Sequence, residues 1–144
     1  MDEVKNRSRG HMRSTPYMVA QNKEASYSKL RTSKVLYLSE HRIEAARKIS
    51  DTIEKATRFN LYREFLASEN FQVMNYGIGG KISGHVDSPG ATLGSSESLG
   101  GTRFTTFMLY LSDVQFGGHT VFPQIGVHVK PVAGNALYWF NHDC

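Results

Sequence analysis

A change of period near residue 65 constrains this chain more than any other feature. Before it, Ile43, Ala46, Ile49, Ile53 and Ala56 recur every three to four residues, which lines them along one face of an α-helix. Ser39 offers an N-cap oxygen and Glu40 an acidic first turn, so the helix is expected to begin there. Arg47, Lys48, Glu54 and Lys55 fall off the stripe, and Thr57-Arg58-Phe59-Asn60 reads as its end. Beyond residue 65 no stripe of this kind recurs. Short strand-like runs at 71–76, 81–87, 104–111, 119–122, 126–130 and 135–140 alternate with glycine- or proline-bearing turns. No helix separates these runs, which argues against a parallel βαβ sheet. The pattern fits an α+β, mainly β fold built as a sandwich or jelly roll.

The flanks read differently. Residues 1–8 suit a short helix, and Pro16 with its Ser/Asn-rich neighbours suits an irregular or extended segment. Tyr27, Leu30 and residues 35–38 are candidates for short strands or docking contacts, and 88–102 reads as a long Gly/Ser-rich loop. A length of 144 residues suits a single domain. The expected organisation is a basic helical flank over 1–64 and a β core over 65–144.

Composition then excludes several classes. No run of about 18 apolar residues is present, so no membrane span is expected. No apolar segment follows Met1 as a secretory signal would. Cys144 is the only cysteine, which excludes an internal disulfide framework and multi-cysteine metal centres. The formal net charge is +4, and 14 of the 17 Lys/Arg lie in the first 63 residues. Such a half invites a nucleic-acid reading. Glu24, Glu40, Glu44, Glu54 and Glu64 interleave with the cations, however, and no aromatic RNA-binding signature or zinc-finger spacing accompanies them. A solvated helical face or a protein-docking face fits better, with no nucleic-acid partner.

The chemistry centres on His85-Val86-Asp87. On a strand, residues i and i+2 share a face. His85 and Asp87 are then able to offer a nitrogen and a carboxylate oxygen to one metal. Two histidines and one carboxylate with open positions form the facial triad of non-haem Fe(II) oxygenases. The tripeptide alone is a weak signal, and its context strengthens it. Gln72-Val73-Met74-Asn75-Tyr76-Gly77-Ile78-Gly79-Gly80 precedes it. Arg103-Phe104-Thr105-Thr106-Phe107-Met108-Leu109-Tyr110-Leu111-Ser112-Asp113-Val114 follows, then Gly117-Gly118-His119-Thr120-Val121-Phe122-Pro123. In this order, and with Asp2-Glu3-Val4-Lys5 and the stretch from Tyr27 to Leu38 upstream, the chain resembles the catalytic region of collagen prolyl 4-hydroxylase α subunits.

The resemblance implies a double-stranded β-helix, or jelly roll, flanked by N-terminal helices. It implies Fe(II), 2-oxoglutarate and O2, with ascorbate keeping the iron reduced, and hydroxylation of proline in collagen-like peptides. It further implies the endoplasmic reticulum lumen and assembly with protein disulfide isomerase. Carried over residue by residue, His85 and Asp87 match the first two iron ligands. Tyr76 and Thr120 match hydroxyls at the 2-oxoglutarate cosubstrate, and Arg103 matches a basic residue near the peptide groove. Trp139 and Phe140 read as core.

The chain also departs from the family pattern. Ile82 stands where the family has an aromatic residue, and Ser88-Pro89 follows Asp87 where an aromatic is usual. The family continues past the strand matching 135–141 to a distal histidine, its third ligand, and then to a lysine that pairs with the cosubstrate. Both are absent before Cys144, so the last strands are expected to be missing and the chain to be a C-terminally truncated, inactive form. His128 is expected to face solvent and His119 to sit in an exposed loop. His142 lies at a workable sequence distance as a substitute ligand but falls in the loop before the missing strand. A non-catalytic binding or assembly relative is the alternative function.

Overall fold

The helical stripe does form a helix, and a sheet forms beside it in sequence. The computed structural model describes residues 1–14, 31–39, 42–61, 68–87 and 103–141. They divide into two compact units, Met1–Gly84 and His85–Cys144. Both are built from helices or antiparallel strands, so the chain is α+β. No helix among the described residues is long and apolar enough to cross a membrane.

In the first unit, α1 (Asp2–Ser8) packs on α2 (Glu44–Thr57). Strands β1 (Arg13–Ser14), β2 (Lys34–Leu38) and β3 (Phe71–Asn75) pair in that order, all antiparallel. The β2–β3 register sets Val35 opposite Met74, Leu36 opposite Val73 and Leu38 opposite Phe71. Val4, Val35, Leu38, Ala46, Ile53 and Val73 are buried. Burying an aliphatic side chain of this size contributes about 2 kcal/mol.

Helix α2 starts later than its sequence suggests. Its N-cap is Ile43, without a side-chain cap bond, so Ser39 is not the cap. Ser39 accepts instead, through its carbonyl, from Arg42 N–H in a turn that precedes the helix. The end falls at Thr57 as expected. Arg58 adopts the left-handed conformation and its N–H reaches the Glu54 carbonyl at 2.8 Å. Thr57 Oγ1 and the Glu54 carboxylate take two further N–H groups, from Phe59 and Leu61, and close the terminus. The stripe itself carries a polar member. Ser50 is fully buried beside Ala46 and Ile53, whereas Ala56 is exposed.

The expected strand at 81–87 does not form; only Ile82 bridges, to Arg31. Lys81 N–H bonds the Thr32 side-chain oxygen at 2.9 Å, so a side chain substitutes for a ladder carbonyl. Gly80 is pressed against the Tyr76 carbonyl, where no Cβ fits. Gly84 further weakens any extension of the ladder.

In the second unit, β4 (Thr105–Leu109) pairs antiparallel with β7 (Ala136–Phe140). The pairing runs on past the strands through Tyr110 N–H to the Asn135 carbonyl and Asn141 N–H to the Phe104 carbonyl. A hairpin joins β5 (Thr120–Phe122) to β6 (Val127–Val129) through a 3-10 turn at Pro123–Ile125. Gly118 has φ +68 and lies against Val114 and Pro131, a backbone that only glycine adopts readily. Trp139 is partly buried, edge-on to Phe122 at 5.4 Å. Phe140, expected in the core, is 48% exposed and leans on Phe104 and Tyr138. Among the described residues β7 pairs only with β4, which leaves its apolar side chains thinly covered.

Candidate functional site

His85 and Asp87 meet through their side chains rather than through a shared strand face. His85 Nε2 stands 3.1 Å from Asp87 Oδ1, with His85 half exposed and Asp87 19% exposed. Two atoms bound at right angles to one metal, each about 2.1 Å from it, are about 3.0 Å apart. The observed spacing therefore fits two neighbouring positions around one ion. The donor set, one imidazole and one carboxylate, suits a divalent transition metal. Among the described residues, no third His, Cys, Asp or Glu joins them. His142 lies outside the described residues, as does the Ser88-Pro89 rim.

Behind the carboxylate lies a directed chain of hydrogen bonds. Thr106 Oγ1 donates to Asp87 Oδ2 at 2.8 Å. Asn141 Nδ2 is 3.0 Å from Thr106 Oγ1 and 3.1 Å from the Arg103 carbonyl. The carboxylate only accepts, so the one hydroxyl proton of Thr106 goes to Asp87. A lone pair of Thr106 and the Arg103 carbonyl both then require an N–H donor. That requirement fixes the Asn141 amide with its nitrogen inward.

Thr120 opens β5 and is partly buried. Its hydroxyl accepts from Tyr110 Oη at 2.9 Å, and Tyr110 is itself buried at 9% exposure. The Tyr110 backbone is pinned on both sides, by Asn135 and by Gly134. A phenol is the stronger donor of the two, which leaves the Thr120 proton free for another acceptor. Arg103 is exposed at the entry to β4. His119 and His128 are exposed as expected, and their rings meet edge-on at 5.5 Å across the β5–β6 hairpin.

Tyr76, in the first unit, lies just past the end of β3. Its hydroxyl is 3.4 Å from the Met74 sulfur. Burial pushes the phenol above the usual tyrosine value, and the Arg31 guanidinium opposes that shift. The group is therefore a protonated donor at neutral pH. Arg31 also reaches Gln72 Oε1 at 3.3 Å and the Met74 sulfur at 3.1 Å, while its Nε is buried without a hydrogen-bond partner. A polar row thus runs from Tyr37 through Gln72 and Arg31 to Met74 and Tyr76.

Four of these residues escaped sequence reasoning as participants: Thr106, Asn141, Tyr110 and Arg31. Thr106 and Tyr110 stand inside the motif strings and Asn141 ends the stretch matched at 135–141, but all three look like ordinary strand residues there. Their partners come from the β4–β7 pairing and the β5 turn, which a one-dimensional spacing does not encode. For Arg31 the only signal is a cation four residues before the apolar run at 35–38.

No family model matches the chain. Among curated proteins, it is 35% identical to prolyl 4-hydroxylase subunit alpha-2 of Gallus gallus over 117 residues, 81% of this chain and 21% of that protein. It is 36% identical to the human subunit alpha-1 over 117 residues, 77% of this chain and 20% of that protein. With subunit alpha-1 of Caenorhabditis elegans it shares 35% identity over 95 residues, 65% of this chain and 17% of that protein. The chain thus spans about a fifth of the length of the curated relatives it matches. These similarities make it a homologue of the prolyl 4-hydroxylases. Within that group the relationship is to the alpha subunits, in agreement with the order of its motifs.

Proposed function

We propose that this chain carries part of the iron and cosubstrate site of a peptidyl-proline 4-hydroxylase that uses 2-oxoglutarate and O2. The observation that carries this reading is the 35% identity to a prolyl 4-hydroxylase alpha subunit over 81% of the chain. The 3.1 Å His85–Asp87 spacing supports it. The bound iron would supply the oxidising chemistry, with 2-oxoglutarate and O2 as co-reactants and ascorbate as the reductant that maintains Fe(II).

In this proposal His85 and Asp87 hold the metal through one nitrogen and one oxygen. Thr120, its lone pair occupied by Tyr110, presents a hydroxyl proton to a cosubstrate carboxylate. Tyr76 is assigned a second such donor role on the sequence relationship alone. Arg103 is proposed near the peptide groove. A collagen-like proline peptide is the proposed substrate and protein disulfide isomerase the proposed partner, in the endoplasmic reticulum lumen. The proposed architecture is a single jelly-roll domain.

The decisive experiment incubates the chain with Fe(II), 2-oxoglutarate, ascorbate and a (Pro-Pro-Gly) repeat peptide, and follows succinate and hydroxyproline. Fe(II) binding that disappears in His85→Ala is the expected result, and succinate above that variant's level would add that the ligands present suffice for turnover. Metal binding without succinate would favour the non-catalytic relative. Loss of neither signal in His85→Ala would overturn the site.

A further inference from the structure

Asp87 has two oxygens with two different neighbours. Oδ1 faces His85 at 3.1 Å and Oδ2 takes the Thr106 proton at 2.8 Å. A carboxylate that is to bind a metal through one oxygen must be prevented from rotating or from chelating with both. A fixed hydrogen bond to the second oxygen does this, because it orients the lone pairs and occupies the competing ligand atom. On that basis, and resting on the metal site proposed above, we infer that Thr106 and Asn141 are positioning residues that set Asp87 for one-oxygen ligation.

Three features make the arrangement more than a strand threonine near an acid. Thr106 sits within the β4–β7 pairing, opposite Trp139, so its backbone is held by the ladder to β7. Its hydroxyl proton goes to Asp87 at 2.8 Å rather than to Asn141 Oδ1 at 3.4 Å, while Asn141 Nδ2 occupies a lone pair at 3.0 Å. Asn141 is in turn fixed by two independent bonds, from its side chain to the Arg103 carbonyl and from its own N–H to the Phe104 carbonyl at 2.9 Å. Thus every bond in the path from the sheet to Asp87 has a defined donor and acceptor. A chain of oriented donors of this kind also raises the strength of each bond in it.

The test is Co(II) binding to the whole chain, followed by its visible d–d absorption, with melting temperature recorded in parallel. Thr106→Val keeps the shape and removes the hydroxyl. It is expected to weaken Co(II) binding about 10-fold, the lower range for loss of such an outer partner, and to alter the band shape. Thr106→Ser restores the hydroxyl and is expected to restore both. Asn141→Ala leaves Thr106 free to turn and is expected to produce a smaller loss in the same direction. Wild-type affinity and spectrum in Thr106→Val would overturn the inference, as would a loss that Thr106→Ser does not recover. Should Thr106→Val lower the melting temperature so far that the chain is unfolded, Asn141→Ala decides, and unchanged binding there overturns it. Failure of the wild-type chain to bind Co(II) through His85, read as no difference from His85→Ala, sinks the underlying metal site instead. The two failures are therefore separable.

Discussion

The two units place their apolar side chains in opposite ways. In Met1–Gly84, six aliphatic residues from two helices and two strands are buried. In His85–Cys144, Tyr110 is the one buried large hydrophobic residue among those described, and Phe104, Val121, Ile125, Val127 and Phe140 are exposed. The first unit is held by side-chain burial. The second is held by ladder hydrogen bonds, edge-on aromatic pairs and side-chain bonds such as Asp113 Oδ1 accepting from Ala133 N–H. The chemistry proposed for the chain lies chiefly where burial is weakest. Polar ligands are compatible with that, since a carboxylate and an imidazole lose less hydration there.

The largest expected effect tests the buried side of the contrast. Ile53→Ala removes a side chain that is 8% exposed and should cost about 3 kcal/mol in urea denaturation. Hydrogen exchange of the α2 amides should accelerate with it, and a loss below about 1 kcal/mol would show that burial of the helix stripe is not what holds the first unit. Phe140→Ala tests the other side. It removes an exposed ring in edge contact with Phe104 at 5.4 Å, and should cost about 1 kcal/mol. A cost equal to that of Ile53→Ala would abolish the distinction between the units.

The smallest effect belongs to the helix surface. Lys48 Nζ is 2.8 Å from Glu44 Oε1, and its hydrogen bond and charge hold the Glu44 carboxyl below the usual range while Lys48 itself is raised. The lowered acid makes this contribution present above the ordinary glutamate pKa and lost as pH falls through the folded value. The raised lysine makes it present below the ordinary lysine pKa and lost as pH rises through the folded value. Lys48→Ala should therefore move the Glu44 pKa up in an NMR titration. The melting temperature should stay where it is, because both groups are solvent-exposed.

What the sequence made legible followed the period of its apolar residues. The stripe from Ile43 to Ala56 gave helix α2, and the runs at 104–111 and 135–140 gave the strands β4 and β7, though not their pairing. The Gly117-Gly118 pair gave the bend at Gly118, whereas Gly126, read into the run at 126–130, caps the turn before β6. Misreadings arose where a side chain takes over a backbone bond. Thr32 intercepts Lys81 and breaks the expected strand, and Ser39 sits in a turn rather than capping α2. At the candidate site, His85 and Asp87 were visible as a spacing. Their mutual geometry and the Thr106–Asn141 support depend on register, which the spacing does not carry.

The β4–β7 pairing has one consequence beyond holding two strands together. Thr105 faces Phe140 and Thr106 faces Trp139, and this offset brings the Asn141 amide to the Thr106 hydroxyl. A slip of a single residue would reverse which face each β7 side chain occupies. Asn141 would then leave Thr106, and Asp87 would lose its oriented neighbour. The sheet acts as a vernier: misalignment by one notch, about 3.4 Å along the strand, would be registered at the carboxylate as a lost hydrogen bond. Assembly of this strand pair and readiness of the site are thus one event.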